Sequence, residues 1–341
     1  MLNKLKSVFM GNIQKTRQLN RGDLIKSYVE GKSISEGYPV ELIIEPTNYC
    51  NLNCIMCPRD RMKRKIGMMD LSLFKKIIDE SKNYVEFIYL HLFGESLFHK
   101  DIFRMITYAE KAGINVGLST NGTMLSEKNT FNLLNSNLHL LILSLDNPSK
   151  DAYNKIRVGG DYENIEKTIS VFLNELEKFK YKPEVVLQMI DLDCSRADQN
   201  LFKNKFSKYS SIHVKIKGFC DWAGQVEEIN KLVSSKAPLG SNSKCFEPWR
   251  ALTIYWDGTV VLCCNDFDGA YVLGNMRKSN IKEIWNGAFM QEFRKSHLVD
   301  KSQMNLCKSC SPVNLTHEEC LMTTSPFYPY EREIEYYCRD K

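Results

Sequence analysis

The chain has 341 residues, 43% of them apolar, with 46 Lys and Arg against 41 Asp and Glu. That length supports one large α/β domain or a core with a smaller companion, and the slight basic excess is too weak and too spread out for a nucleic-acid-binding surface. The longest apolar run, 138–145, falls far short of the roughly 20 residues of a membrane helix. Residues 1–21 have basic side chains but no apolar stretch or cleavage site, so the protein reads as cytoplasmic.

In chain order, residues 1–37 are an N-terminal extension, and a β-rich run at 40–46 then leads into Cys50, Cys54 and Cys57. Further strand-like runs recur at 87–93, 115–120, 140–146, 184–190 and 213–219, separated by amphipathic stretches such as 72–82, 101–113, 163–179 and 201–209. This alternation predicts a parallel sheet with crossover helices, either doubly wound or a partial β/α barrel, with its site at the C-terminal strand ends. A polar linker spans 225–244. Residues 249–264 predict a β-hairpin turning at Asp257-Gly258. The end of the chain is aromatic and charged; it can cover the second cysteine-rich region, line a pocket or be a docked terminus.

In a reducing compartment the twelve cysteines are not a disulfide framework and point to metal. Three lie at 50–57, Cys194 and Cys220 are isolated, and seven follow from 245. The first three have no histidine close by, His91 being the nearest, whereas a closed zinc site takes four ligands. Four-iron clusters take one thiolate per iron, so three thiolates leave one iron open to a small molecule. Packing cysteines, or a zinc site shared with remote residues, are the alternatives.

C-x3-C-x2-C after a first strand resembles the signature of the radical S-adenosylmethionine (SAM) enzymes, and the likeness extends over about 40–220. It implies a partial (β/α)6 barrel over 38–224. It also implies a [4Fe-4S] cluster on Cys50, Cys54 and Cys57 that binds SAM and, reduced by a flavodoxin or ferredoxin-type donor, yields a 5′-deoxyadenosyl radical. Residues 93–96, FGES, are similar to the family's Gly-Gly-Glu-Pro loop at the SAM amino group, with Gly94 and Glu95 matching but Phe93 and Ser96 departing. Ser119 and Asn121 of STNG fall at the ribose-contacting position, and Ser144 and Gln188 at other SAM-contacting strand ends. Arg157 corresponds to a donor for the SAM carboxylate. Each also has an ordinary reading: a turn, a helix cap or a surface charge.

Cys245, Cys263, Cys307 and Cys310, with CFEPW, DGTV and LGNM around them, resemble the SPASM/twitch extension of this family, a small α+β domain over 245–320 ahead of a tail at 321–341. The spacing is most similar to the single-cluster twitch of the 2-deoxy-scyllo-inosamine dehydrogenases and implies one auxiliary [4Fe-4S] cluster. A zinc ribbon would use the same thiolates. Cys264, next to Cys263 on a predicted strand, points to the opposite face. Thr316 stands where a two-cluster pattern has cysteine, while Cys320, Cys338 and His317 leave a second cluster open. Cys220 is a candidate hydrogen-atom donor or a packing thiol, and Lys215, Lys217 and Asp221 are candidate bases. The expected reaction is two-electron oxidation of a small polar metabolite such as a sugar or cyclitol. The alternatives are a ribosomal-peptide maturase or epimerase, for which 1–37 is short as a recognition domain, and an electron-transfer or zinc protein without SAM chemistry. Nucleic acid and membrane are excluded as partners.

Overall fold

The computed structural model describes residues 2–234 and 245–310, with side chains from Asn12 onward. Thr316, His317, Cys320, Cys338 and the tail lie outside the described residues.

The six expected strands form at Glu41–Ile44 (β1), Phe87–Tyr89 (β2), Asn115–Thr120 (β3), Leu140–Ser144 (β4), Glu184–Ile190 (β5) and His213–Lys217 (β6). All are parallel to their neighbours, in the order 6-5-4-3-2-1. β1 and β2 are shorter than their apolar runs because the chain turns into the site loops. Helices Leu71–Ser81 (α2), Ile102–Lys111 (α3), Glu127–Leu134 (α4), Lys150–Ile156 (α5), Tyr162–Lys178 (α6) and Gln199–Phe206 (α7) make the crossovers. α2 starts where the Asp70 carboxylate accepts the Leu73 amide at 2.8 Å, an N-cap. It buries Leu73, Phe74, Ile77 and Ile78 at helical spacing against the sheet. α6 likewise buries Ile165, Ile169, Phe172, Leu173 and Leu176. The central strands are covered on both faces, which is why β4 reads as a continuous apolar run rather than an alternating one.

Inside the curved sheet, Ile43, Phe87, Tyr89, Leu140, Ile142 and Val186 make a separate apolar floor. Gly117 of β3 carries no side chain because the Phe87 and Tyr89 rings occupy that space; a Cβ there would come within 3.0 Å of both. Above this floor the inward positions turn polar.

Two features were not read from the sequence. The N-terminal extension is largely one helix, Leu2–Val29 (α1), which closes the N-terminal ends of the strands. The Arg17 guanidinium donates to the carbonyls of Gly113 (2.6 Å) and Lys82 (2.7 Å), and Arg21 pairs with Glu86 at 3.0 Å. The predicted hairpin, Ala251–Ile254 (β7) and Thr259–Val261 (β8), does not stand apart. β7 pairs parallel with β1 over four residues, and Val272–Asn275 (β9) follows, so the described residues form one nine-stranded sheet. Gly258 takes φ +92°, as the turn requires.

Glu227–Asn230 (α8) is a single turn in the linker. Glu247–Arg250 (α9), Ile281–Trp285 (α10) and Ala288–Asp300 (α11) complete the described chain. The Arg250 guanidinium pairs with buried Glu41 at 2.6 Å and fastens α9 beneath β1. No helix among the described residues is long and apolar enough to cross a membrane.

Candidate active site

β1 delivers the chain into the loop carrying Cys50, Cys54 and Cys57, and neighbouring elements hold that loop from three sides. From the β2 end, the Glu95 amide donates to the Tyr49 carbonyl at 2.9 Å, and Gly94 lies flat against the loop entrance. A Cβ on Gly94 would sit 2.1 Å from the Thr47 carbonyl oxygen. From the last residue of α5 and the segment after it, the Ile156 and Val158 carbonyls accept the amides of Ile55 (3.0 Å) and Asn53 (2.8 Å). From beyond β6, the Trp222 indole donates to the Met56 carbonyl at 2.7 Å. Trp222→Phe removes that bond, and we expect a loss of about 1 kcal/mol in chemical denaturation.

Two side chains reach the sulfurs themselves. The Asn121 amide donates toward Cys50 Sγ at 3.7 Å, and the Arg157 guanidinium toward Cys54 Sγ at 3.5 Å. Donors of this kind stabilise sulfur charge and tune a bound cluster. Burial pushes all three thiols up, Cys57 to about 12, so ligation must displace their protons. Arg157 also makes a buried ion pair with Asp146, Nε to Oδ2 at 2.5 Å, at the end of β4. Asp146 takes φ +64° and its other oxygen accepts the Ile190 amide at 2.9 Å.

Glu95 sits differently from what its motif suggests. Its carboxylate is buried and accepts from the Thr120 hydroxyl (2.8 Å), the Asn121 amide (2.7 Å) and the Leu97 amide (3.1 Å), tying the β2 and β3 ends together. An amino group meeting this loop would find backbone rather than this carboxylate. Phe93, which departs from the motif's first glycine, packs on Trp222 (5.3 Å) and Phe267 (6.3 Å), with the Arg64 guanidinium 5.5 Å over its ring. Arg64 in turn pairs with Glu45 and donates to the Phe267 carbonyl at 2.8 Å, joining the first loop to the second cysteine region.

Ser119, Ser144 and Gln188 line up along the inner face: the two hydroxyls are 3.4 Å apart, and Ser144 lies across from Gln188, itself across from Lys215. His91 joins the same interior, and the sequence signalled it only as the histidine nearest the first cysteines. Burial and the facing Lys217 charge lower its pKa to about 3, so the folded state favours neutral imidazole. The stability this contributes is whole above the unfolded value of 6.5 and is lost as pH falls toward 3. Between pH 7 and 5 wild type should therefore lose about 1–2 kcal/mol more than His91→Gln in urea titrations.

The second cysteine group comes together from separate elements. Cys263 lies in the turn past β8 rather than on the strand. It feels Cys245, Cys310 and Cys264, and Cys310 feels Cys307. Cys264, next to Cys263 in the turn, feels Glu247, Cys220 and Lys217. The 263–264 pair therefore lies past the strand on which it was expected. Cys220 donates to Asn265 Oδ1 at 3.3 Å, and the Asn265 amide donates to Cys310 Sγ at 3.5 Å. The Cys245 amide donates to His297 Nε2 at 3.0 Å. Among the described residues no three Cys, His, Asp or Glu converge closely enough to hold a single metal ion. Thiols bound to separate irons of a cluster need no such convergence.

Residues 44–181 match the radical SAM superfamily, and 245–311 match SPASM, an iron-sulfur cluster-binding domain. The chain is 26% identical to the tungsten-containing aldehyde ferredoxin oxidoreductase cofactor-modifying protein of Pyrococcus furiosus, covering 82% of this chain and 91% of that one. It is 25% identical to the S-adenosyl-L-methionine-dependent 2-deoxy-scyllo-inosamine dehydrogenase of Niallia circulans, covering 81% and 94%. In fold it is similar to BtrN in complex with AdoMet and 2-DOIA (TM-score 0.54, 19% identity, 81% and 94% covered). It is also similar to Streptococcus suis SuiB bound to precursor peptide SuiA (TM-score 0.64, 15% identity, 85% and 75% covered). A radical SAM domain takes a [4Fe-4S] cluster with SAM, and a SPASM domain takes auxiliary iron-sulfur clusters. This chain is a radical SAM enzyme that carries a SPASM domain.

Proposed function

We propose that the chain oxidises a small polar metabolite by two electrons in a reducing cytosol, with 38–224 as the catalytic core and 245–320 as the auxiliary domain. Cys50, Cys54 and Cys57 would hold the SAM-binding cluster, and Cys245, Cys263, Cys307 and Cys310 one auxiliary cluster. When bound, the first group supplies the electron that cleaves SAM to a 5′-deoxyadenosyl radical, and the second can accept the electron an alcohol oxidation releases.

The observation that carries this reading is the segment after β6, which touches both cysteine regions. Trp222 bonds the first loop at Met56, and Cys220 bonds Asn265, which bonds Cys310. A substrate above the apolar floor would lie between the two. Gly94 would bring backbone to the SAM amino group, Ser119 and Asn121 would face the ribose, and Ser144, Gln188 and Arg157 would complete its binding. Asn121 and Arg157 also polarise Cys50 and Cys54. Cys220, whose thiol donates to Asn265 Oδ1, would be the hydrogen-atom donor if the reaction needs one. The dehydrogenase relative supports a hydroxylated substrate, and α1 lies at the opposite end of the strands from the mouth.

Single Ser replacements at Cys245, Cys263, Cys307 or Cys310 should remove roughly four irons per chain while 5′-deoxyadenosine formation persists, whereas Cys264→Ser should keep the full iron content. Substrates are to be sought by deuterium transfer into 5′-deoxyadenosine. Transfer from a peptide instead of a small alcohol would replace this reading with the maturase one.

A further inference from the structure

Three strands separate β2 from β6 in the sheet order, yet His91, two residues past Tyr89, and Lys217, two residues past the Lys215 that faces Gln188, both stand at inward positions of the curved sheet. His91 continues the inward alternation of Phe87 and Tyr89, and its ring lies 5.1 Å from that of Tyr89. Its Nδ1 is fully buried and has no hydrogen-bond partner among the described residues. A buried polar atom left in this state costs about 1–3 kcal/mol, which a ligand completing the bond would recover.

Lys217 sits on the inner face of β6, partly buried and without an ion pair among the described residues. The carboxylates around the strand ends are already engaged. Glu45 pairs with Arg64, Asp146 with Arg157, and Glu95 is held by Thr120 and two amides. A cationic substrate group would find none of these three carboxylates open, whereas an anionic one would find Lys217.

We propose that His91 and Lys217 form the substrate-anchoring subsite, and that the substrate carries an oxyanion, a phosphate ester or a carboxylate, held between them. The ammonium donates charge-assisted hydrogen bonds and the imidazole adds a neutral N–H. This assignment rests on the radical SAM reading of the interior and separates this chain from an enzyme selecting an aminocyclitol.

The test is calorimetric titration of cluster-loaded, SAM-bound protein with inorganic phosphate, acetate and 2-deoxy-scyllo-inosamine. Saturable binding of phosphate or acetate is expected. It should weaken about tenfold or more in Lys217→Met and several-fold in His91→Gln, persist in Lys217→Arg, and stay unchanged in the exposed-site control Lys63→Met. Tighter phosphate binding assigns a phosphate ester, and tighter acetate binding a carboxylate. No saturable binding of either anion, binding unaffected by Lys217→Met, or tighter binding of the aminocyclitol than of both anions overturns the subsite. 5′-Deoxyadenosine is assayed on the same preparations: if it forms while the anions fail to bind, only the subsite falls, and if it does not form, the radical reading falls as well.

Discussion

Arg157→Met is expected to cost roughly 3–5 kcal/mol of folding stability, as a lowered urea midpoint with little change in slope. The loss comes less from the missing ion pair than from what remains. Asp146 is fully buried, and without the guanidinium its charge is uncompensated in a site water does not reach. The carboxylate also holds the Ile190 amide, and Asp146 itself takes φ +64°, so its displacement would loosen the ends of β4 and β5 together. Adding Asp146→Asn to Arg157→Met should restore part of the loss, because the neutral amide no longer needs a counter-ion, and the double-mutant cycle should show strong coupling. Arg157→Lys should fall between wild type and Arg157→Met, since one ammonium cannot span both Asp146 and Cys54 as the planar fork does. An additive cycle would mean that the two side chains act independently.

Gly94→Ala should cut 5′-deoxyadenosine formation by about a hundredfold with a much smaller effect on stability. The added methyl would lie 2.1 Å from the Thr47 carbonyl oxygen and 2.9 Å from that of Tyr49, both backbone atoms that no rotamer change can move aside. Relief requires the cysteine loop to shift away from the β2 end, breaking the Glu95–Tyr49 bond that sets it. Overpacking of this kind costs about 1–3 kcal/mol, but a displacement near 1 Å at the reacting centre can cost about a hundredfold in rate. Iron content and deoxyadenosine yield are to be read on the same sample. Unchanged yield would mean that the loop is not positioned from this side.

The parts legible in the sequence were those encoded locally. Strand runs between amphipathic helices revealed the parallel sheet, and the close spacing of Cys50, Cys54 and Cys57 marked the first loop. The parts that were not legible depend on contacts between distant residues. α1 shows no clear apolar face because Arg17, Asn20 and Arg21 fasten it to loop carbonyls and to Glu86. The four residues of β7 carry no sign that they will extend the sheet at β1, a pairing that spans more than two hundred positions. Glu95 shows how a motif can be located without its chemistry being read, because its carboxylate is spent on neighbouring strand ends. Phe93 looked like a departure from the motif until its aromatic partners arrived from the β6 end and the second cysteine region.

The central claim is that Cys50, Cys54 and Cys57 hold a cluster that cleaves SAM, and the most direct test is 5′-deoxyadenosine formation by anaerobically reconstituted protein given SAM and a strong reductant. The wild-type protein should form it, and a variant with all three cysteines changed to Ala should form none while keeping its auxiliary iron. A wild-type protein that holds its full iron content but forms no 5′-deoxyadenosine, or one that binds zinc in place of iron, would contradict the account.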